Sequence, residues 1–501
     1  MLERLVSTGS GFPTVHVGDL TLHSRYNPPL EAEKYINSLN FREGVRFFIL
    51  LEPGLGYTTQ ALRKKFPHTV ILNIHVSDFF LRPEISSDSV ADGVWSPGSG
   101  ETLLHFLENH LPDTEAAAVA IVEWRPAQAA FGEVYLKIFA EIVEYIKRAD
   151  ANKRTMDNFG KRWFKNAFKN IRLLKKSLRY HPFFSPIVIT GAGPSLEETI
   201  PILTEQKKYS SIFILAVSSS VPALLSAGLQ PDLILTTDGG NWALLHLYET
   251  LRSKQKKAPA FAAAITAALP SQFAELPWLP ISDGSLWQNL MLHSRGLPFA
   301  ALPQRGTVTA TALDLAFKLS QGPVYITGID LGHRDIKTHA RPYSFDRLLM
   351  GRESRFNPAY SQAFMRASSI TASGSHGIYT QWFARQMAAY PDRLFSLGNN
   401  SSVFTERTTG ILHPATGPVK ETAATCNADV SRRIPREETV IPNEKSSTET
   451  VSAALLRALE SGKTREILLQ ELGPLLFPGS SPVSAEAVRE EIYTVCGVDH
   501  G

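Results

Sequence analysis

The sequence predicts an α/β protein with a Rossmann-like parallel sheet in its central domain, a smaller α/β domain before it and a helical tail after it. Three β-branched runs, at residues 187–190, 211–217 and 232–238, carry no internal charge, which is typical of buried strands. Helical segments separate these runs, and that alternation indicates parallel βαβ units. Glycines follow the first and third runs, at the edge where such sheets bind ligands.

The turn after the first strand is Gly191-Ala192-Gly193-Pro194-Ser195, and a helix begins directly after it. Free N–H groups and the positive end of the helix dipole make such a turn an anion site. Glycine suits it because no Cβ blocks the approach of a phosphate to the backbone. Leu196 stands where the dinucleotide fingerprint has its third glycine, so classical NAD binding is disfavoured. A βα turn without a ligand is the alternative.

Other polar residues follow the ends of the predicted strands. Ser218 and Asp238 come after the second and third strands, and Asp330 ends a later strand at residues 323–331. The carboxyl ends of parallel strands share one edge, so these side chains are expected in one crevice. Capping of the next helix is the alternative for Asp330.

A loop rich in glycine and threonine precedes another predicted helix, and it contains Gly306, Thr307 and Thr309. Hydroxyls and free N–H groups at the start of a helix bind a ribose or a phosphate, or simply cap the helix.

The turn Gly-x-Gly-Pro-Ser-Leu at 191–196, together with Gly-Leu-Gln-Pro-Asp at 228–232, resembles the motility-associated factor family of bacterial flagellin glycosyltransferases. The resemblance covers roughly residues 14–411. It extends to Ser-Arg-Tyr-Asn-Pro at 24–28, to the Trp and two Asn at 163–170, and to Gly-Ile-Asp-Leu at 328–331. The family's central domain is similar to bacterial sialyltransferases that use CMP-activated nonulosonic acids, and to the archaeal 6-hydroxymethylpterin diphosphokinase.

The resemblance implies transfer of a nonulosonic acid from a CMP donor to Ser or Thr of flagellin, in support of flagellar assembly and motility. The turn at 191–195 would hold the CMP phosphate, and Thr307 and Thr309 would meet the nucleotide. His339 lies in a Thr-His-Ala segment similar to the family's, and as general base it would take the acceptor's proton. His333 and His376 compete for that role. The resemblance implies no cofactor, since the CMP-sugar is a donor substrate. It implies no metal, since the similar inverting sialyltransferases release a singly bridged phosphate without one.

Two other functions stay open. Asp238 and Asp330 could hold Mg²⁺ for pyrophosphoryl transfer from ATP to a pterin alcohol, although the additional domains count against a small-molecule kinase. A non-enzymatic flagellin-binding protein with a decayed site is the second alternative.

The N-terminal domain contains a second strand–turn–helix pattern. A strand at 47–51 runs into Glu-Pro-Gly-Leu-Gly, and His75 ends the following strand where a nucleotide site usually has a ribose-binding acid. A structural domain with an empty turn is therefore preferred.

Composition restricts the function further. The net charge is +3 and the charged fraction 20%, which gives no argument for nucleic-acid binding, and the basic residues of 161–176 fit a solvated helix face. Two cysteines, Cys426 and Cys496, are too few for a disulfide framework. No run is long enough to span a membrane, so a cytoplasmic protein is expected.

The predicted domain organisation has five parts. They are 1–128, an N-terminal Rossmann-like domain; 129–182, connecting helices; 183–411, a central glycosyltransferase-like (MptE-like) domain; 412–449, a linker; and 450–501, a helical tail.

Overall fold

The computed structural model of the protein describes residues 3–82, 85, 90–209, 212–252, 260–372, 375–398, 408–409, 436–440, 447–460, 462–480 and 482–496. The chain divides into two compact units, Met1–Asn158 and Phe159–Gly501. The division falls within a long helix, inside the segment for which connecting helices are predicted.

The first unit contains a β-hairpin sheet, a four-stranded parallel sheet and the helices beside it. The hairpin predicted at 14–22 is confirmed as two antiparallel strands. The parallel sheet has the order β6-β5-β4-β7. The elements are β1 Glu3–Ser7, β2 Pro13–Val17, β3 Leu20–Thr21, α1 Pro28–Ser38, β4 Phe47–Leu51, α2 Tyr57–Lys65, β5 Val70–Ile74, β6 Gly93–Trp95, α3 Leu103–His110, β7 Val119–Glu123 and the start of α4, Arg125–Leu173.

The turn after β4 is built around a buried carboxylate. Glu52 adopts a left-handed conformation, with φ of 49°, and its side chain is fully buried. Its carboxylate accepts hydrogen bonds from the amides of Val76, at 2.7 Å, and Gly54, at 3.2 Å, and lies 3.0 Å from Nδ1 of His75. His75, which occupies the position where a nucleotide site usually has a ribose-binding acid, therefore pairs with Glu52 of the same chain.

The same turn is filled by an imidazole. Nε2 of His23 accepts a hydrogen bond from the amide of Leu55 at 3.0 Å, and a Cβ on Gly54 would overlap the His23 ring. Burial lowers the pKa of His23 to about 3, so the ring is neutral at pH 7. The space that a phosphate would need is taken by a side chain, and this geometry favours the structural role for the unit.

The second unit is organised by one large sheet. Its elements are β8 Lys176–Tyr180, β9 Ile187–Thr190, α5 Leu196–Tyr209, β10 Phe213–Val217, α6 Val221–Ser226, β11 Leu233–Thr236, α7 Leu244–Arg252, β12 Ala260–Ala264, β13 Trp278–Ser282, α8 Leu286–His293, β14 Ala300–Ala301, α9 Val308–Leu319, β15 Val324–Thr327, α10 Asp346–Met350, α11 Ala359–Ala372, α12 Ser375–Ala389, β16 Leu394–Leu397, β17 Thr408–Thr409, β18 Arg436–Val440, α13 Ser447–Ala458, α14 Gly462–Leu476 and α15 Ala485–Cys496.

In the described residues the sheet has eleven strands, ordered β17-β16-β15-β9-β10-β11-β12-β13-β8-β18, with β14 paired to β13. Neighbouring strands are parallel except β18, which runs antiparallel to β8. The chain builds outward from β9 to β13 and then crosses back to place β15 against β9. The switch point of this doubly wound sheet therefore lies between β9 and β15, where α/β proteins bind their ligands.

The fold class predicted from the sequence is confirmed: an α/β chain with a large parallel sheet, a smaller α/β unit and a helical C-terminal region. Strands β9 to β11 are entirely buried, as their uncharged β-branched sequences predict. Of the linker predicted at 412–449, the structure describes β18 and residues 447–449 at the start of α13; the rest of it, with Cys426, lies outside the described residues.

The last helices are fixed to the sheet domain by a carboxylate. Glu471 on α14 accepts hydrogen bonds from the amides of Leu286, at 2.9 Å, and Trp287, at 3.1 Å, at the start of α8. These are amides that have no partner within a helix, so the helical tail supplies a cap for a helix of the central domain.

The end of α4 holds the loops that follow β11 and β12. Asn166 donates to the carbonyl oxygens of Gly239, at 3.2 Å, and Thr266, at 3.0 Å, and Asn170 donates to two further carbonyls after β12. Trp163 lies so close to Gly239 that a Cβ there would overlap its ring. The Trp and the two Asn that contribute to the family resemblance thus position the loop of Asp238.

Among the described residues, no helix combines the length and the apolar character that crossing a bilayer requires.

Candidate functional site

The glycine turn after β9 lies directly against the end of β15. The amide of Gly191 donates to the Thr327 carbonyl at 2.7 Å, and that of Gly193 donates to the Gly328 carbonyl at 2.8 Å. A Cβ on Gly191 would overlap the Gly328 carbonyl oxygen, and one on Gly193 would overlap Asp330. Glycine was predicted to be needed here for the approach of a phosphate; in the structure, Gly328 and Asp330 of the same chain make that close approach.

Asp330 occupies the start of α5. Its Oδ2 accepts hydrogen bonds from the Ser195 amide, at 3.0 Å, and the Ser195 hydroxyl, at 2.8 Å. Its Oδ1 pairs with Nε of Arg334 at 2.9 Å, and only 6% of the side chain is exposed. The anion site predicted at this helix start therefore holds the chain's own carboxylate. Asp330 was expected either to face the ligand crevice or to cap the helix that follows it. It does cap a helix, but that helix begins after Ser195, 135 residues earlier in the chain.

The segment after Asp330 lies along the start of α5. Glu197 accepts hydrogen bonds from the Lys337 side chain, at 2.8 Å, and the Arg341 amide, at 2.9 Å. The Ala340 amide donates to the Ala192 carbonyl at 2.8 Å. These contacts fix the Thr-His-Ala segment at the switch point of the sheet.

A cavity of about 300 Å³ opens beside this segment. Its lining residues are Thr338, His339, Arg341, Tyr343, Phe345, Asp346, Leu349, Arg366 and Ser369. They come from the loop after β15 and from α10 and α11. Of the predicted catalytic and nucleotide-binding residues, His339 is the one in this lining. The sequence of residues 340–370 also predicts either a lid whose arginines meet a phosphate or a sugar carboxylate, or a loosely structured connector, and two of those arginines, Arg341 and Arg366, line the cavity.

His339 is held in a defined orientation. Its ring stacks on that of Tyr343, with centroids 4.1 Å apart and planes 11° apart. Its Nδ1 is 3.0 Å from the hydroxyl of Thr338. Because Nδ1 is engaged by this neighbour, Nε2 is the nitrogen that remains for a ligand or a proton.

The charge state of His339 follows from burial and from its neighbours. Its pKa is lowered to about 4, chiefly by burial and then by His246, Arg341 and Arg366, while the charge of Asp346 acts in the opposite direction. The imidazole is therefore neutral at pH 7 and able to accept a proton. An imidazole with so low a pKa is a weak base until a bound anion stabilises its charged form.

His246 is a second histidine near the cavity, and it was not predicted from the sequence. It lies on α7, with its ring 5.5 Å from that of Tyr343 and 5.2 Å from that of Phe345. Its Nδ1 is buried without a hydrogen-bond partner among the described residues. Burial lowers its pKa to about 4, and Asp238 acts in the opposite direction. The sequence feature that could have identified His246 is its position, eight residues after Asp238 and in the first turn of the next helix.

The remaining predicted residues lie elsewhere along the carboxyl edge. Ser218 is almost buried in the turn after β10. Gly306 has a φ of 71°, and its carbonyl accepts a hydrogen bond from the Tyr379 hydroxyl at 2.8 Å. Thr307 is the N-cap residue of α9, without a side-chain cap bond, and Thr309 is in the first turn of that helix. None of the four predicted residues is among those that line the cavity.

The competing histidines contribute less to the cavity. His333 is exposed, and its ring nitrogen contacts the carbonyl of Asp335 in its own loop. The side chain of His376 lies outside the described residues.

The two aspartates proposed for Mg²⁺ do not fit a metal site. Both oxygens of Asp330 are engaged by Ser195 and Arg334, and Oδ1 of Asp238 accepts the Gly240 amide at 2.7 Å. Among the described residues, no group of three His, Cys, Asp or Glu side chains could hold a metal ion. Hard cations need several free oxygen ligands, and this arrangement does not supply them.

Comparisons with known proteins agree with this architecture. Residues 161–335 match the family model described as 6-hydroxymethylpterin diphosphokinase MptE-like. The structure of MAf glycosyltransferase from Magnetospirillum magneticum AMB-1 is similar, with a TM-score of 0.54 and 13% sequence identity over 99% of this chain and 86% of that chain. The resemblance to the motility-associated factor family is therefore confirmed, and at this identity the structural likeness concerns the fold.

Two relatives in sequence are described without a function. Two proteins of Treponema pallidum (strain Nichols), each described as uncharacterized, are 26% identical to this chain. The first match covers 62% of this chain and 66% of the relative, just under two thirds of its length. The second covers 41% of this chain and 73% of the relative.

Proposed function

We propose that this protein is a glycosyltransferase that moves a nonulosonic acid from a CMP donor to Ser or Thr hydroxyls of flagellin in the cytoplasm, in support of flagellar assembly and motility. The observation that carries the proposal is the cavity around His339, at the switch point of a sheet whose fold is like that of MAf glycosyltransferase. Ligands of doubly wound sheets bind at such points.

The charge of the cavity suits an anionic donor. Arg341 is paired with Asp346, whereas Arg366 forms no ion pair among the described residues. With His339 neutral, the lining carries a net positive charge beside the aromatic rings of Tyr343 and Phe345. A guanidinium beside aromatic faces is an arrangement that binds phosphates, carboxylates and planar rings.

In the proposed reaction, the hydroxyl oxygen of the acceptor attacks the anomeric carbon of the sugar. The bond between that carbon and the CMP phosphate oxygen breaks, and CMP leaves with the electron pair. Nε2 of His339 takes the proton of the hydroxyl as the new glycosidic bond forms. Asp346, whose charge raises the His339 pKa, stabilises the resulting imidazolium. No metal or cofactor takes part in this proposal.

The turn Gly191–Ser195 serves this site by supporting it. Since Asp330 fills the start of α5, we assign to Asp330 and Ser195 the role of fixing the loop that carries His339, in place of direct phosphate binding. Ser218, Asp238, Gly306, Thr307 and Thr309 stay candidates for the nucleotide, along the same edge of the sheet.

The description of the matched family model favours the diphosphokinase alternative. The engaged oxygens of Asp330 argue against it, because Mg²⁺ would have to displace both Ser195 and Arg334.

Calorimetric titration with CMP, and separately with ATP and Mg²⁺, tests the proposal. Micromolar binding of CMP without a metal, followed by a mass increase of flagellin with the CMP-sugar, is expected. Binding of ATP only in the presence of Mg²⁺ would support the diphosphokinase, and binding of neither would support a non-enzymatic flagellin-binding protein. The variant His339→Ala should transfer far more slowly; an unchanged rate in a folded variant would remove His339 as the base.

A further inference from the structure

Helix α10, the turn after it and α11 expose an unusual number of large apolar side chains. The exposed fractions are 64% for Met350, 96% for Phe356, 64% for Tyr360, 56% for Phe364 and 58% for Met365. Single exposed apolar residues are ordinary, but a cluster within one segment marks an interaction site. We call these five residues, with Arg347, Arg352 and Arg355, the 347–365 surface.

The most exposed of these side chains is presented by an ordered turn. Ser354 and Asn357 exchange backbone hydrogen bonds at 3.2 and 3.0 Å, which places Arg355 and Phe356 at the tip. The side chain of Gln362 on α11 donates to the Asn357 carbonyl at 3.1 Å and fixes the turn to the helix. The hydrogen bonds of this turn keep the Phe356 side chain in water, where it buries no apolar surface and so does not stabilise the fold. We infer that the exposed ring contacts a partner.

The 347–365 surface is continuous with the candidate site. Helix α10 supplies Asp346 and Leu349 to the cavity lining, and α11 supplies Arg366 and Ser369. The same two helices therefore form a wall of the cavity and carry the exposed apolar side chains. A polypeptide bound along them would pass the opening beside His339.

The charge of the surface restricts the partner. Arg347, Arg352 and Arg355 are all exposed, and Glu353 is the acidic residue among them. Interfaces pair a positive patch with a negative one and place aromatic anchors near their centre.

We propose that the 347–365 surface docks the polypeptide acceptor, and that it selects a segment with apolar side chains next to acidic ones. This inference rests on the proposed function, because it identifies the acceptor as flagellin. It adds the place at which the acceptor binds and the chemistry by which it is recognised.

The test measures flagellin binding and CMP binding separately. Purified full-length protein, as the wild type and as Phe356→Ser, Arg352→Glu and the control Phe184→Ser, is titrated against flagellin of the source cell by biolayer interferometry. Phe184 is 68% exposed in the same unit but lies outside the 347–365 surface, so it controls for loss of an exposed aromatic ring. Phe356→Ser should weaken flagellin binding by about tenfold or more, as loss of an aromatic anchor does. Phe184→Ser should have no effect, and the CMP affinity of every variant should stay at the wild-type value.

Three outcomes would overturn the inference: equal flagellin affinity of the wild type and Phe356→Ser, no flagellin binding by the wild type, or binding to phospholipid vesicles in place of flagellin. Flagellin binding that depends on Phe356, without any CMP binding or sugar transfer, would refute the proposed function and leave the docking surface in place.

Discussion

Ser195 and Asp330 join the two strand ends that meet at the switch point of the sheet. The Ser195 amide and hydroxyl both donate to one oxygen of Asp330, at 3.0 and 2.8 Å, across 135 residues of sequence. One carboxylate thus caps α5, closes the turn after β9 and fixes the start of the loop that leads to His339.

Replacing Asp330 by alanine should destabilise the protein. The Ser195 amide would lose its acceptor in a buried position, and Arg334 would lose one of its two acidic partners while keeping Glu198. An unsatisfied buried donor costs about 1–3 kcal/mol, so the midpoint of urea unfolding should fall accordingly. The exposed Asp392→Asn is the control and should change stability by less than about 0.5 kcal/mol. Equal stability of both variants would show that the contact contributes little.

Gly193→Ala should disturb the same contact from the other side. The added Cβ would overlap Oδ2 of Asp330, so either the turn or the loop after β15 must move. We expect lower thermal stability and weaker CMP binding, measured by calorimetry. At Gly462 an added Cβ meets no atom, and Gly462→Ala should behave as the wild type. Normal CMP binding by Gly193→Ala would separate the turn from the ligand site.

The stability of the protein should fall on acidification, in part because of His339. The pKa of His339 is about 4 in the folded protein and 6.5 in the unfolded chain. Below pH 6.5 the unfolded state therefore binds the proton more readily than the folded state does. The contribution is fully present above pH 6.5 and is lost between pH 6.5 and 4, by at most about 3 kcal/mol. Urea unfolding across this range should show a shallower dependence for His339→Gln than for the wild type.

His246 and His23 titrate in the same direction, so the wild-type slope includes all three. The informative quantity is the difference between variants, with the exposed His68→Gln as the matched control. Identical slopes for His339→Gln and the wild type would mean that the pKa of His339 does not differ between the folded and the unfolded state.

Ligand binding should be coupled to proton uptake. An anion near His339 stabilises the imidazolium and raises its pKa from about 4, so binding should strengthen as the pH falls. The methyl ester of CMP is a suitable probe, because its phosphodiester does not titrate in this range. Calorimetry in buffers of different ionisation enthalpy should detect the proton, and His339→Gln should remove it. A pH-independent affinity would place the phosphate away from this histidine.

Sequence reasoning identified the elements of the site better than its contacts. The strands at 187–190 and 233–236, the helix after Ser195 and the hairpin near the N-terminus follow from local pattern, since burial and turn residues act over short distances. Asp238 was predicted because polar residues after strand ends share one edge of a parallel sheet. His339 was predicted from the resemblance of its Thr-His-Ala segment to that of the motility-associated factor family.

The pairing of Ser195 with Asp330 was not predictable in the same way. It depends on β15 lying next to β9, and strand order is a property of the whole sheet. For the same reason the two glycines were assigned to a phosphate, when the structure brings a neighbouring strand end against them. His246 was not predicted because it lies in no recognisable motif. It is near the cavity only because the fold places its ring beside that of Tyr343.

In the N-terminal unit, the His23 side chain occupies the position that a bound ligand would take in the turn after β4. Its imidazole fills the turn after β4 and accepts the Leu55 amide, as a bound heterocycle would. Tethering gives it an effective concentration that a free molecule reaches only at high dose. In His23→Gly, added imidazole should therefore enter the vacated space and raise the melting temperature, whereas the wild type should not respond. The unit would then contain a heterocycle-binding site that His23 fills in the wild type. One substitution would open that site to small heterocycles, and the melting temperature would show their binding.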